Sequence, residues 1–281
     1  MAQALGRLLG ERGEPVAAVA GRDPERTRAA AAFIGAGVQP VAIEKLAGEA
    51  ARVLIAVSDS AISEVAGILA ASRMSSGIAL HTCGTAGPEA LAPLAIAGVS
   101  CGTLHPFQTV ATPEQGLDAL PGCAFAIEGD PAALEWASRI AGLLGGETLR
   151  IRPEHRPLYH AAAVMASNYV VALVDAAAML MDAAGVGQDE ALRAIGPLVR
   201  SSVANALRLG PVRALTGPIQ RGDLETVSGH LGALASVPER VRGLYRSAGL
   251  HALDLAVRRG LAKDRARLIE ELLRRGEGGN G

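Results

Sequence analysis

Pro15-Val16-Ala17-Ala18-Val19-Ala20-Gly21-Arg22-Asp23-Pro24-Glu25-Arg26-Thr27-Arg28 decides how this chain is read. Val16–Ala20 is a short run of small and β-branched apolar residues, as in a strand buried on both faces. The chemistry then changes. Asp23-Pro24 starts a helix: the carboxylate accepts from free N–H groups of the first turn, and proline takes the first helical position, where no N–H partner is needed. Strand, polar turn and helix in that order make half of a parallel β–α–β unit. Upstream, Met1-Ala2-Gln3-Ala4-Leu5-Gly6-Arg7-Leu8-Leu9-Gly10 reads as a helix from the first residue.

A helix, then strand and helix, is the order found just after the first strand of a dinucleotide-binding sheet. There a G-x-G-x-x-G turn precedes the first helix, so that the backbone meets a pyrophosphate at the helix N-terminus. The sequence shows the helix without that turn. Either the true start lies upstream of Met1, or half of the phosphate cradle is lost.

Downstream, short apolar runs alternate with helical stretches. Strands are expected at Val38–Ile43, Arg52–Val57, Gly77–His81, Val99–Leu104, Cys123–Glu128 and Glu147–Ile151, and helices at Ser60–Ser72, Pro88–Ala97 and Pro131–Gly145. Such alternation implies right-handed crossovers. The pattern changes at Arg152-Pro153-Glu154. Helical periodicity then fills Leu158–Ala184, Asp189–Leu209, Leu224–Ser236, Pro238–Arg259 and Leu261 to about Arg275, with Gly276–Gly281 a frayed tail. Leu192, Ile195, Val199, Val203 and Leu207 form one apolar stripe. The fold class is therefore α/β: a Rossmann-like, mostly parallel, doubly wound sheet over 1–151, followed by an all-helical domain over 152–281.

Composition narrows the function. Net charge is −1, so no basic field draws the chain to nucleic acid or membrane. The arginines from Arg258 to Arg275 are interspersed with Asp264, Glu270 and Glu271, the pattern of a solvated helix face. Cys83, Cys101 and Cys123 are odd in number and form no C-x-x-C, which argues against disulfides and zinc and suits a reducing cytoplasm. No signal peptide is read, because charges interrupt the N-terminus. Ala161–Val174 is the longest apolar run; Ser167 and Asn168 make it too short and polar to span a bilayer, so a buried helix is expected.

In open parallel sheets, ligands sit beyond the C-terminal strand ends. Those ends carry Gly21-Arg22-Asp23, Val57-Ser58-Asp59-Ser60, His81-Thr82-Cys83-Gly84 and Leu104-His105-Pro106-Phe107-Gln108-Thr109. Arg22 stands where an acidic residue would hold the ribose of NAD; an arginine suits the 2′-phosphate of NADP, the alternative being an exposed turn arginine. Ser58, Asp59, His81 and Thr82 are candidates along the cofactor path, Asp59 equally a helix cap. His105 is placed to hydrogen-bond a carbonyl or carboxylate, unless backbone satisfies it; Gln108 and Thr109 in the same loop are candidates for binding substrate. His160, Val164 and Asn168 fall in one row of a helix, so His160 and Asn168 face either a ligand or a neighbouring helix. Arg221 is a candidate for an anionic substrate, or the partner of Asp223 in a stiff turn.

His81-Thr82-x-Gly84, Leu104-His105-Pro106-Phe107-Gln108-Thr109, Tyr159-His160-Ala161-Ala162-Ala163 with Ser167-Asn168-Tyr169, and Leu215-Thr216-Gly217-Pro218-Ile219-x-Arg221-Gly222-Asp223 resemble the Rossmann-like proteins with a DUF2520 C-terminal domain. That group is similar in architecture to pyrroline-5-carboxylate reductase, prephenate dehydrogenase and the F420-dependent NADP oxidoreductases. The resemblance implies NADP in the first domain and a homodimer built on the helical domain. Related β-hydroxyacid dehydrogenases carry a lysine four residues before a helix asparagine. Here Val164 stands before Asn168, and His160 is the substitute proton group. The expectation is a cytoplasmic NADP-dependent oxidoreductase, NAD being less favoured. It would reduce or oxidise a small carbonyl, imine or hydroxy acid between the domains, with His105, His160 and Asn168 catalytic. The rivals are a non-catalytic nucleotide- or metabolite-binding dimer and a truncated product unable to hold cofactor.

Overall fold

The structure, a computed structural model, describes residues 1–275; the tail Gly276–Gly281 lies outside the described residues. The chain divides into two compact units, Met1–Ser167 and Asn168–Gly281. The sequence pattern changes at Arg152, fifteen residues or so earlier. The helix that follows this change belongs with the sheet because Arg156 and Tyr159 are tied to sheet and loop residues of the first unit.

The first unit runs α1 (Ala2–Glu11), β1 (Ala18–Ala20), α2 (Pro24–Ile34), β2 (Gln39–Val41), α3 (Leu46–Glu49), β3 (Arg52–Ile55), α4 (Ile62–Ala71) and β4 (Ile78–His81). It continues with α5 (Ala92–Ile96), β5 (Ser100–Pro106), α6 (Pro113–Ala119), β6 (Phe125–Gly129), α7 (Pro131–Leu143), β7 (Thr148–Leu149) and α8 (Arg156–Ala166). Asp23 caps α2 as expected, accepting from the N–H groups of Glu25 (2.9 Å) and Arg26 (3.1 Å). Helix α6 escaped the sequence reading; Thr112 caps it and Pro113 opens it.

Five strands form one sheet in the order β3-β4-β5-β6-β7, and β1 and β2 form a second, parallel pair. Pairing is parallel except between β5 and β6, where the chain returns through α6 without crossing the sheet and the strands run antiparallel. Alternate residues feed two cores. Leu54, Leu80 and Leu104 face Leu5, Leu9 and Ile140 of α1 and α7, whereas Val53, Ile55 and Ala79 face Ile62, Leu69 and Leu94 of α4 and α5. Helices on both faces of the sheet are the doubly wound arrangement.

A buried carboxylate ties β3 and α7 to the segment entering β1. Glu14 accepts from Arg52 (2.8 Å), Arg139 (2.9 Å) and the Trp136 indole (3.3 Å). Burial pushes its pKa up, but the Arg139 and Trp136 hydrogen bonds and the Arg52 charge outweigh this and hold it below the usual range.

The second unit contains, among the described residues, helices only: α9 (Asn168–Ala183), α10 (Gln188–Leu209), α11 (Pro211–Ala214), α12 (Pro218–Arg221), α13 (Leu224–Ala233), α14 (Glu239–Arg258) and α15 (Lys263–Arg274). Ala178, Ala191 and Ile195 close the α9–α10 hairpin; Val227, Leu253, Ile269 and Leu273 join α13, α14 and α15.

Two expectations are corrected here. The helix expected over Leu158–Ala184 is interrupted at Ser167 (φ −123°, ψ −74°), so the row of His160, Val164 and Asn168 ends at Val164. Nor is this stretch buried: Leu158 is 72% and Val171 70% exposed within the chain. Pro153–Ala183 contains a window of mean hydropathy 1.7 and is, by length and composition alone, apolar enough to cross a membrane. On α10, Ile195 is buried while Leu192, Val203 and Leu207 of the same stripe are exposed.

Candidate functional site

The polar side chains of the first unit converge beyond the ends of β4 and β5. Cys83, Gly84, Thr103, His105, Arg156 and Tyr159 line one small pocket there. His105 Nδ1 and the Tyr159 hydroxyl are 2.7 Å apart, and their rings meet edge to face at 5.6 Å. Phe107 lies against the same phenol at 5.3 Å. Gly84 gives the imidazole room: a Cβ there would stand 2.7 Å from Nε2.

These surroundings set the protonation of the pair. Burial, reinforced by the nearby His160 and by His81, pushes the His105 pKa down to about 4 against the pull of Asp59. Burial, with Cys123 adding to it, pushes the Tyr159 phenol up to about 12. At neutral pH both groups are uncharged. When the phenol donates to Nδ1, the ring proton stands on Nε2.

His81 has another task than the expected contact with cofactor. It is fully buried; Nδ1 accepts from the Cys83 N–H (3.2 Å), so Nε2 is left to donate to the Gly87 carbonyl (2.8 Å). Burial is the main cause that lowers its pKa, with Arg156 adding to it and the Gly87 bond, Glu89 and Asp59 opposing. Both ring nitrogens are used to pin the loop after β4, and Thr82 N–H bonds the Ile55 carbonyl at the same strand end.

Sequence reasoning passed over Arg156 and gave Tyr159, quoted in its motif, no role in the site. Arg156 reaches Glu128 on β6 through two bonds (2.9 and 3.0 Å) and Glu89 through two more (2.7 and 3.3 Å). Glu89 in turn accepts from the Gly87 N–H (3.0 Å). One guanidinium thus fixes the start of α8, which carries Tyr159 and His160, to the His81 loop. The available signal was an arginine and a tyrosine three residues apart at the head of an apolar helix, one helical turn that the sheet edge can reach. His160, also on α8, has its Nδ1 buried and without a hydrogen-bond partner.

The other candidates are spread more widely. Ser58 and Asp59 are exposed at the end of β3; Asp59 caps no helix, and its Oδ2 accepts instead from Thr85 Oγ1 (3.4 Å). Gln108 is engaged within its own loop, donating to the Ala119 carbonyl (3.1 Å) and accepting from the Thr109 N–H (2.8 Å), so it secures α6. Arg22 is exposed beyond β1 and has no acidic partner among the described residues. Asn168 opens α9 and Arg221 lies on α12, both in the second unit. Arg221 stands 3.9 Å from Asp223, which caps α13 through Thr226 N–H, the stiff-turn arrangement. Cys101 and Cys123 are pushed up to about 11 by burial. The described residues hold no His/Cys/Asp/Glu cluster suited to a metal.

Residues 123–252 match a domain of unknown function, DUF2520, and residues 1–78 match the family described as NADP oxidoreductase coenzyme F420-dependent. The fold is shared with a putative NADP oxidoreductase from Bacteroides fragilis (22% identity, TM-score 0.69, 89% of this chain and 93% of that one). It is shared with a protein from Thermotoga maritima (24%, TM-score 0.72, 91% and 96%). It also matches a pyrroline carboxylate reductase from Plasmodium falciparum solved with NADP bound (11%, TM-score 0.55, 96% and 94%). No curated protein matches the sequence.

Proposed function

From a chain that joins a DUF2520 domain to an NADP-oxidoreductase-type segment and has the Rossmann-like fold, we propose an NADP-dependent oxidoreductase acting on a small carbonyl, imine or hydroxy acid. The observation that carries this reading is the His105–Tyr159 pair: an uncharged imidazole, oriented by a phenol, in a pocket beyond the ends of a parallel sheet.

The fit to a nicotinamide dinucleotide is uneven. Arg22, exposed and unpaired among the described residues, suits a 2′-phosphate, and Ser58 lies at a neighbouring strand end. No glycine turn for the pyrophosphate stands between β1 and β3 among the described residues. The cofactor, when bound, supplies the hydride. The protein's part is proton handling. In reduction, with the phenol donating to Nδ1, His105 Nε2–H bonds the substrate oxygen or nitrogen and supports the charge that develops on it; in oxidation the other tautomer serves, Nδ1–H donating to the phenol oxygen and the free Nε2 taking the hydroxyl proton. Tyr159 orients the ring in either tautomer. The orphaned His160 Nδ1 is a second group with an unmet hydrogen bond.

A homodimer accompanies this proposal. Exposed Tyr169, Val171 and Leu173 on α9, and Leu198, Val203 and Leu207 on α10, form apolar surface that an isolated unit leaves in water. A second copy is favoured over a bilayer as its cover because Ser167 breaks the helix and Asp175 lies within it. The cysteines, present as free thiols, suit the cytoplasm.

The test is a fluorescence titration with NADPH and NADH, followed by turnover of a panel of small carbonyls and cyclic imines by the parent and His105→Ala. Tighter NADPH binding, with turnover lost in the variant at unchanged NADPH affinity, supports the proposal. Binding without turnover of any panel member by a folded dimer would favour the metabolite-binding alternative, for which Val164 in the place of a lysine already speaks.

A further inference from the structure

The turn Thr216-Gly217-Pro218-Ile219-Gln220-Arg221-Gly222-Asp223 takes no part in the proton chemistry of the first unit. It is nevertheless tightly built. Arg221 N–H donates to the Gly217 carbonyl (3.2 Å), Gly222 N–H to that of Ile219 (3.2 Å) and Asp223 N–H to that of Pro218 (2.9 Å). Asp223 is itself engaged twice, Oδ1 accepting from Thr226 N–H (3.0 Å) and Oδ2 from Thr226 Oγ1 (2.8 Å). These two bonds, ahead of the Arg221 charge, hold its carboxyl below the usual range. The stiffness of the turn therefore comes from Thr226 and the backbone. Arg221, 3.9 Å from Asp223 Oδ2, lies beyond hydrogen-bond reach and is 60% exposed.

Gly222 brings a second guanidinium to the same place. Its backbone is left-handed (φ 69°, ψ 30°), a conformation that a residue without Cβ adopts readily. A Cβ there would touch Arg265 Cβ and Cγ, at 3.5 and 3.6 Å. The stem of Arg265, near the start of α15, thus lies against the residue that follows Arg221. Arg265 is exposed and makes no ion pair among the described residues.

Neighbouring arginines are committed elsewhere. Arg259 donates to the Arg213 (3.1 Å) and Leu215 carbonyls, Arg213 to the Leu209 carbonyl (3.0 Å), and Arg267 stands 3.8 Å from Glu271. Arg221 and Arg265 have no such engagement. A guanidinium keeps its proton in a protein, so this pair cannot relieve its repulsion by deprotonating, as a lysine can. A bound anion relieves it, and each planar fork of donors matches a group with two or more anionic oxygens. The turn and helix that carry the two side chains are already ordered, so little of the cost of ordering is left for binding.

We propose that Arg221 and Arg265 form an oxyanion site in the second unit, taking the carboxylate or phosphate group of a small molecule. The site stands independently of the oxidoreductase reading, which rests on the first unit.

The experiment titrates inorganic phosphate and, separately, malonate into the 281-residue chain, with sodium chloride at matched ionic strength as the control. The arginine Nε–H resonances are followed by NMR, those of Arg221 and Arg265 being assigned from Arg221→Gln and Arg265→Gln. Saturable shifts at both are expected, with a Kd of about 1–10 mM for the favoured anion. Each of these substitutions should weaken that affinity at least about fivefold. Arg267→Gln, on the same helix, should leave it unchanged. Tighter binding of malonate assigns the site to carboxylates, and tighter binding of phosphate assigns it to phosphate esters. An equal response to chloride is screening alone and overturns the site. Weakening in only one of the two variants overturns the pair, and equal weakening in Arg267→Gln overturns it in favour of a diffuse surface attraction. Should solvent exchange hide the resonances, the same comparison is made on the rise in Tm that each anion gives over chloride. No rise with either anion, or a rise that persists in both variants, overturns the proposal.

Discussion

The two halves of the first unit are built to different standards. On the β4–β5 side, side chains cross-link every loop: His81 holds Gly87 and Cys83, Arg156 holds Glu89 and Glu128, and Tyr159 holds His105. On the β1–β2 side, three-residue strands pair along one edge, and Gly21 and Arg22 stand free in solvent. A preorganised group spends no reorganisation energy when it meets developing charge, so the first half has the character of a chemical site. The second is held along one edge only and leaves its turn residues exposed.

Four measurements would break or sharpen this contrast. His105→Ala is expected to lower kcat by about 10²–10⁴-fold, the usual range for a general acid or base, while NADPH affinity stays within about twofold. Equal losses in both would show that the two halves are one. His81→Leu strands the Gly87 carbonyl and the Cys83 N–H in a buried loop; a loss of about 1–3 kcal/mol in urea unfolding is expected. A near-neutral result would mean that the loop holds without its imidazole. Arg22→Ala should weaken NADPH by about tenfold and leave NADH unchanged, since one charge-assisted contact to the 2′-phosphate is removed. Parallel losses for both nucleotides would place Arg22 elsewhere.

The smallest effect is in pH. His105 is depressed from 6.5 to about 4 and His81 is lowered as well. A lowered histidine binds fewer protons folded than unfolded, so its contribution is present above pH 6.5 and is lost as pH falls toward 4. Stability should therefore decline through that window, and kcat/KM for oxidation should fall as pH drops through about 4. In His81→Leu the stability decline should be shallower. A slope identical to the parent's would remove His81 from the account.

Much of this was legible in advance. Asp23-Pro24 opens its helix and caps it, His105 lies near the end of its strand, and the helical half follows the sheet, because caps, apolar runs and periodicity act over a few neighbouring residues. The errors came where distant residues decide. His81 and His105 are both histidines at strand ends, and only packing separates a fully buried loop pin from a part-buried ring that lines the pocket. Tyr159 and Arg156 gained their roles from partners 54 and 28 positions away. The break falls at Ser167-Asn168, a polar pair inside the apolar run that side-chain period alone does not mark as a helix end.

The sequence alone determined which segments are strands and helices and the switch from one regime to the other near Arg152. These follow from local sterics, capping and side-chain period. Tertiary structure alone decided that β5 and β6 run antiparallel, that the sheet is split between β1 and β3, and that His105 is uncharged. Strand partnership and desolvation depend on what the rest of the fold brings alongside, and no run of neighbouring residues encodes that.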